Sequence, residues 1–494
     1  MFRHFLSRAL PLIARALPAT PSRTLTLLFL PFCLLCALPA AAQSDQKNKA
    51  EKPPISLSYL FSDGNMTGTL SAYRTLLQQN PDLKGRVSLQ FLSESFFDDA
   101  EPTALASSDV LVLDMMNQAM LDRFDKAHAI DLVETIARRG KVIVVGRGVQ
   151  PLEYFTEQGA IWDTQAQAYW QFGGQQNRLS LMQFALQQAG VEGLSTPAPQ
   201  PSLKFGYYYP SKTGGQAFAT WDEFAEWMTG RGLLQAGKPR IAVGFYKSKF
   251  YGAETEVIDA VIAEIEQAGA VAIPFFGYPG HVAFERLLID EQGVARADVG
   301  LSFLMRFANF ESSKSLAKIN IPVINLATLY GRSEQEWRES ATGLSLFEGT
   351  FQIAVPELAG LIAPTVVGSR ERLYDAATNI SIVIDKPIAP RIEMAVQRAL
   401  HYGRLAKKPV QERRIALMYY NFPAGQANIG ASYLNIAESL ENILRAMRES
   451  GYDLGNADPR RHHREGAQYR QLRTGRPRGH AQTGQLCRSQ HGYL

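Results

Sequence analysis

From Ile55 onward the chain alternates short apolar runs with stretches whose apolar residues recur every three or four positions. Ile55–Phe61, Val87–Leu92, Asp109–Asp114 and Lys141–Val145 are apolar runs bounded by polar and turn residues, the pattern of strands buried on both faces. Thr67–Gln79 and Met120–Arg139 carry the helical period, and Leu179–Gln188 predicts a further helix. The Pro-rich stretch Ser195–Ser202 then marks a domain boundary. Beyond it, Arg240–Phe245 reads as a strand and Ala270–Phe276 as the next. Between them Thr255–Gln267 is a helix with Val257, Ile258, Val261, Ile262 and Ile265 on one side, stopped by Gly269. Such a β-α-β unit is right-handed and places its outgoing loop, Tyr246–Ala253, at the carboxyl edge of the sheet. Further strands are predicted at Val299–Leu304, Pro322–Leu326 and Phe351–Val355, and a helix at Ile392–Leu405. A last strand, Arg414–Tyr420, runs into a loop and then a helix whose stripe is Ile436, Leu440, Ile443, Leu444 and Met447. Asn435 is placed to cap that helix, with Glu438 reaching back.

The two ends depart from this pattern. Residues 1–42 combine Arg3, Arg8, Arg15 and Arg23 with an apolar run, Leu25–Leu38, and a small-residue site at Ala40–Ala42. That is the form of a cleavable secretory signal and implies a periplasmic or exported protein cut near Ala42. The alternative is a membrane anchor over residues 25–42, although the run is short of the roughly 20 apolar residues a span needs. The last segment, Asn456–Leu494, holds eight Arg, four of the eight His and only Asp458 and Glu465 as acids. With almost no aliphatic residues it is expected to be disordered. It reads either as a basic tail for acidic partners or as an out-of-frame extension, and the abruptness of the change favours the second.

Those ends supply the positive charge. Without the eight tail and four leader arginines, 39 basic residues face 45 acidic ones, so Gln43–Gly455 carries about −6 rather than the +4 of the whole chain. A nucleic-acid-binding core is thereby disfavoured. Cys33, Cys36 and Cys487 all lie in the ends, which leaves the body no disulfide and no thiolate metal site.

Familiar catalytic motifs are imitated rather than present. Gly232–Lys238 resembles a phosphate loop but continues with Pro239 and precedes a strand, so it reads as a helix end and turn. Gly146-Arg147-Gly148 lacks a third glycine. His128, His281 and His401 are far apart, and His281 with Glu285 reads as a solvated pair rather than a metal site. No serine sits in a nucleophile elbow. Phe205–Pro210 and Tyr169–Phe172 offer aromatic walls for a planar ligand or ordinary core packing, with core the simpler reading. The loop after Tyr420 leaves the carboxyl end of a predicted strand, with Gly425 and Gly430 allowing unusual backbone geometry. Its polar groups Tyr420, Asn421, Asn428, Ser432 and Tyr433 are the candidates for binding, beside a purely structural reading of the same loop.

Taken in order, these pieces resemble one family. Tyr420–Ser439, Y-N-F-P-A-G-Q-A-N-I-G-A-S-Y-L-N-I-A-E-S, is similar to the large subunit of aerobic cobaltochelatase (CobN-type) and to the magnesium chelatase H subunit. Phe172-Gly173-Gly174-Gln175-Gln176-Asn177 resembles the family's G-G-x-x-N element, Phe205–Pro210 its G-x-Y-x-P strand, and Ala354–Gly360 its P-E-x-x-G segment. The resemblance implies metal insertion into a tetrapyrrole, corrin or porphyrin, with cobalt or magnesium as substrate. It implies no cofactor held by this chain, and ATP hydrolysed by separate AAA+ partner subunits if the protein is cytoplasmic. The implied binding residues are Gly173, Gly174, Asn177, Glu357 and Gly430 beside the loop groups above. The fold expected is α/β: two Rossmann-like parallel-sheet domains over residues 53–195 and 203–410, then the truncated start of a third at 411–455. Family large subunits are about twice as long or more, so an incomplete N-terminal fragment is expected. The alternative is an exported tetrapyrrole-binding protein without catalysis.

Overall fold

A computed structural model describes residues 54–96, 102–114, 134–138, 140–146, 152–157, 159–211, 215–304, 310–418 and 434–455. Two sheets organise them. The first holds β1 (Ile55–Leu60), β2 (Val87–Leu92), β3 (Val110–Leu113) and β4 (Lys141–Val144) in the order β2-β1-β3-β4, all parallel. Val110 to Leu113 are all buried, as an apolar run without alternation requires when both faces are covered. The helix Met66–Gln79 covers one face and packs on the helix Gly174–Gln188.

The second sheet has eight strands in the order β12-β11-β10-β9-β7-β8-β5-β6. Its centre is parallel: β7 (Arg240–Phe245), β8 (Val271–Gly277), β9 (Val299–Ser302), β10 (Val323–Thr328) and the start of β11 (Ile362–Asp375). β5 (Phe205–Tyr209), β6 (Gln216–Phe218) and β12 (Ile380–Pro387) pair antiparallel at its margins, so this sheet is mixed rather than wholly parallel. The predicted helix is found at Glu256–Gln267, with its five predicted apolar residues buried. Gly232 and Gly237, at φ +69° and +78°, form the turn between the helix Trp221–Gly230 and β7, which is the bland reading of the phosphate-loop imitation.

Three expectations change. Phe351–Val355 is helical, lying across the turns Gly349–Ala354 and Val355–Leu358; Gln352 is buried there and binds the edge of β10 through its backbone and side chain. Residues 414–418 form no strand, and the loop that follows lies outside the described residues. The third change is the β11–β12 hairpin, which the apolar pattern does not announce. β11 pairs with β10 as far as Gly368, then continues as a ribbon with β12. That ribbon leaves its own sheet: Ile380, Ile382 and Val383 join the core of the first sheet, and Arg74 pairs with Asp375 at 2.6 Å. The helix Ile436–Glu449 forms as predicted, with Asn435 Oδ1 accepting from the Glu438 backbone amide at 3.3 Å. Among the described residues no helix is long and apolar enough to cross a membrane.

Candidate functional site

The carboxyl ends of the first sheet's strands meet elements that follow the carboxyl ends of the second. Gly173 and Gly174 open the helix Gly174–Gln188 at φ +65° and +81°, and Tyr251 packs against both. A Cβ at either position would lie 3.2–3.3 Å from the Tyr251 side chain. Asn177 is buried and wholly engaged. Its amide donates to the Gly173 and Gln200 carbonyls at 2.8 Å each, and its Oδ1 accepts from Gln200 N at 2.9 Å. The G-G-x-x-N element therefore ties a helix start to the Pro-rich linker.

One residue further on, Arg178 enters the interior. Its guanidinium donates to Asn65 Oδ1 at 2.8 Å and Thr69 Oγ1 at 3.1 Å, and lies 5.3 Å from the Trp170 ring centre. Burial lowers its pKa to about 10, against the charges of Glu254, Tyr59 and Asp114 that hold the proton on. Asp114, just past β3, is pushed up to about 6 by burial, although Trp170 and Arg178 oppose this. Gly146 must be glycine here, since a Cβ would fall 1.6 Å from Asp114 Oδ1.

A second charged group joins the sheets. Asp63 follows β1, is 3 % exposed, and accepts from Ser93 Oγ and Ser95 Oγ at 2.5 Å each. Arg370, on the hairpin ribbon, lies 3.6 Å from Asp63 and 3.0 Å from Asp385. Lys249, after β7, pairs with Asp385 at 2.6 Å and Glu254 at 2.8 Å. Burial would raise Asp385, but Lys249 and Arg370 hold it down to about 2. Three carboxylates thus meet two cations, each group desolvated and each partnered. This is a joint between sheets rather than an acid–base pair poised for turnover.

Along the carboxyl edge of the second sheet aromatic rings collect: Tyr278, Tyr330, Phe347 and Phe351 are exposed, whereas Tyr246 is half-buried against the core. Tyr246 after β7 and Tyr278 after β8 have ring centres 6.1 Å apart. After β10, Tyr330, Phe347 and Phe351 form a row with centres 5.1 and 4.8 Å apart, each ring residue 43–44 % exposed. β9 lies between β7 and β10, so the strands that Tyr246 and Tyr330 follow are two strand spacings, roughly 10 Å, apart. By contrast Tyr169, Tyr207 and Tyr208 are fully buried, so those predicted aromatic walls are core. Glu357 is exposed and stands just before the amino end of β11, at the opposite edge from these rings. Tyr420, Asn421, Asn428, Gly430, Ser432 and Tyr433 lie outside the described residues. Glu285 accepts from Ser315 Oγ at 2.5 Å and Lys318 Nζ at 2.8 Å, and among the described residues no three metal-binding side chains converge.

A family profile described as CobN/Magnesium Chelatase matches residues 167–473. The chain belongs to that family. The match takes in Gly173–Asn177, the whole second sheet and the helix Ile436–Glu449, and runs past Gly455, where the apolar pattern ends. The magnesium-chelatase H subunit of Rhodobacter capsulatus is 27% identical over 311 residues, covering 58% of this chain and 25% of that protein. The aerobic cobaltochelatase CobN subunit of Sinorhizobium sp. is 25% identical over 301 residues, covering 58% and 23%. The catalytic subunit of cobaltochelatase from Mycobacterium tuberculosis superposes with a TM-score of 0.54 at 20% identity, over 82% of this chain and 31% of that one. The chain therefore spans about a quarter to a third of the length of these CobN/magnesium chelatase relatives, and the structural likeness establishes the shared fold.

Sequence reasoning missed Asp63, Arg370 and Asp385, which lie far apart along the chain and carry no shared local motif. The Tyr246–Ala253 loop is legible as a carboxyl-edge loop, and that signal leads directly to Tyr246.

Proposed function

We propose that this chain forms a ring-holding part of a chelatase that inserts a divalent metal, cobalt or magnesium, into a porphyrin or corrin. The observation that carries the reading is the set of exposed aromatic rings, Tyr278, Tyr330, Phe347 and Phe351, on the carboxyl edge of the second sheet, where open α/β sheets place ligands. Flat apolar rings on a rigid edge suit a planar macrocycle, which buries large area at little conformational cost. Family membership supplies the reaction class. The metal is substrate in this scheme, and ATP hydrolysis belongs to separate AAA+ subunits.

Titration of the purified chain with protoporphyrin and with a corrin tests this. Binding shifts the Soret band and quenches tryptophan fluorescence, and replacing Tyr278 and Phe347 by Ala weakens it about tenfold or more if each ring contributes about 1 kcal/mol. Absence of a spectral change with both rings overturns the reading.

A further inference from the structure

The helix Ala389–Lys407 carries two arginines that the fold positions but does not neutralise. It buries Ile392, Ala395, Val396, Ala399 and Leu400. Arg391, Met394 and Arg398 follow one another at three and four residues and so share a flank of the helix. Strand β11 fixes both cations: Arg391 Nε donates to the Val366 carbonyl at 3.2 Å, and Arg398 Nη1 donates to Thr365 Oγ1 at 3.0 Å. These two strand positions precede Gly368, where β11 pairs with β10 and has not yet begun to pair with β12. Met394 lies between the guanidiniums, its Sδ 3.9 Å from Arg391 Nη1 and 3.8 Å from Arg398 Nη2. The Trp337 ring centre is 5.7 Å from Arg391 Cζ. Among the described residues neither arginine makes an ion pair with a carboxylate, whereas Arg338, beside the same indole, is matched by Glu334 at 2.6 Å. Glu393 is exposed and only two residues from Arg391, a spacing that turns the two side chains apart. Burial lowers the Arg391 pKa, and the charges of Arg398 and Arg338 lower it further.

Like charges held in one patch repel in the free protein. Each guanidinium is already tethered by one bond to β11, so an arriving anion meets groups that need little further ordering. The patch is open, with Met394 37 % exposed and Trp337 half-buried. There a single small anion is screened and weakly held. A polypeptide adds apolar contact with the sulfur and the indole, and two carboxylates three or four residues apart on a helix can face both cations. The net acidic body of the chain disfavours a nucleic-acid backbone as the polyanion. We infer that Arg391 and Arg398, with Met394 and Trp337, form a docking surface for an acidic amphipathic segment of a partner protein, its carboxylates on the guanidiniums and its apolar side on the sulfur and indole. The surface uses none of the rings of the ring-holding edge and stands independently of that reading.

Fluorescence anisotropy with two labelled helical peptides tests this. One has Glu on one face and Leu on the other, and the second has Gln at every Glu. The full chain is expected to bind the Glu peptide at least about tenfold more tightly at low salt, with the preference shrinking as salt rises. Two variants remove the site in opposite ways. Arg391→Met with Arg398→Met deletes the cations. Met394→Glu keeps both and supplies a counter-ion three and four residues from them, so it should leave the melting temperature the same or higher while abolishing the preference. That second variant decides the matter if the first is unstable. A Glu preference that persists in a folded variant refutes the surface and moves the binding elsewhere, such as to the arginines of Asn456–Leu494. Equal binding of the two peptides by the wild type, or binding of neither, refutes it as well. Sodium triphosphate is the competitor: if it binds as tightly as the Glu peptide and is lost in the same variants, the patch is a small-oxyanion site and the protein-docking inference falls.

Discussion

Replacing Arg178 by Met tests how the first sheet is held to its neighbours. The stem is kept, and the guanidinium bonds to Asn65 Oδ1 and Thr69 Oγ1 are lost, together with the cation facing Asp114 and Glu254. Breaking a buried charge arrangement by removing one member costs about 3–5 kcal/mol. With an unfolding entropy of about 2.1 cal/mol/K per residue over roughly 400 residues, that is a drop of about 4–6 °C in Tm. The deficit depends on pH. Asp114 titrates near 6 in the fold against an ordinary 3.8. Its folded pKa is raised, so its contribution to stability falls as pH rises from about 4 to 6. The wild-type penalty at neutral pH is about 3 kcal/mol by the usual 1.36 kcal/mol per unit. Without Arg178 the Asp114 pKa climbs further, so the variant's deficit is larger at pH 8 than at pH 5. Adding Asp114→Asn should restore part of the loss at pH 8 and little at pH 5. Thermal melts of the wild type, Arg178→Met, Asp114→Asn and the double variant at both values measure this. An equal deficit at both pH values, or no recovery on adding Asp114→Asn, refutes the account.

Asn177→Ala strands two carbonyls and one amide, and should cost about 1–3 kcal/mol in denaturant unfolding while porphyrin affinity stays unchanged. Gly174→Ala forces a side chain into φ +81° against Tyr251 and should cost about 1–2 kcal/mol from backbone strain alone, read from the same unfolding curves. Glu348 is fully buried, and although burial opposes it, the Ser345 and Tyr330 amides and Arg332 hold its carboxyl below the usual range. Its folded pKa is lowered, so its stabilisation is present above the ordinary glutamate pKa and lost as pH falls through the folded value. Glu348→Gln should lower the urea midpoint at pH 7 by the equivalent of about 1.5–3 kcal/mol, with the gap closing in acid.

Much of the fold was legible because its strands are buried on both faces. A run such as Val110–Leu113 is short, half β-branched and bounded by polar turn residues, which favours a strand over a helical turn. Val87–Leu92 and Arg240–Phe245 are found at the predicted bounds for the same reason. The ribbon was not legible, since Ser369–Asp375 mixes Arg370, Glu371 and Arg372 with apolar residues and serves two sheets at once. Phe351–Val355 misled because a short apolar run fits a strand and a buried helical turn equally. For Tyr207 and Tyr208 the simpler core reading holds; the alternative of a ligand wall stood beside it because an aromatic run does not say which face is covered.

By itself, then, the sequence determined the alternating α/β plan and the family, since both are written in local order: apolar period, turn residues, and motifs contiguous along the chain. Tertiary structure alone decided which polar residues meet. Asp63 finds Arg370, and Lys204 and Arg286 meet at one ring, across long separations in the chain, and no local pattern encodes such pairs. The Asp63–Arg370 pair exists because packing two sheets against each other removes water from both charges, and each must then find its partner in the fold.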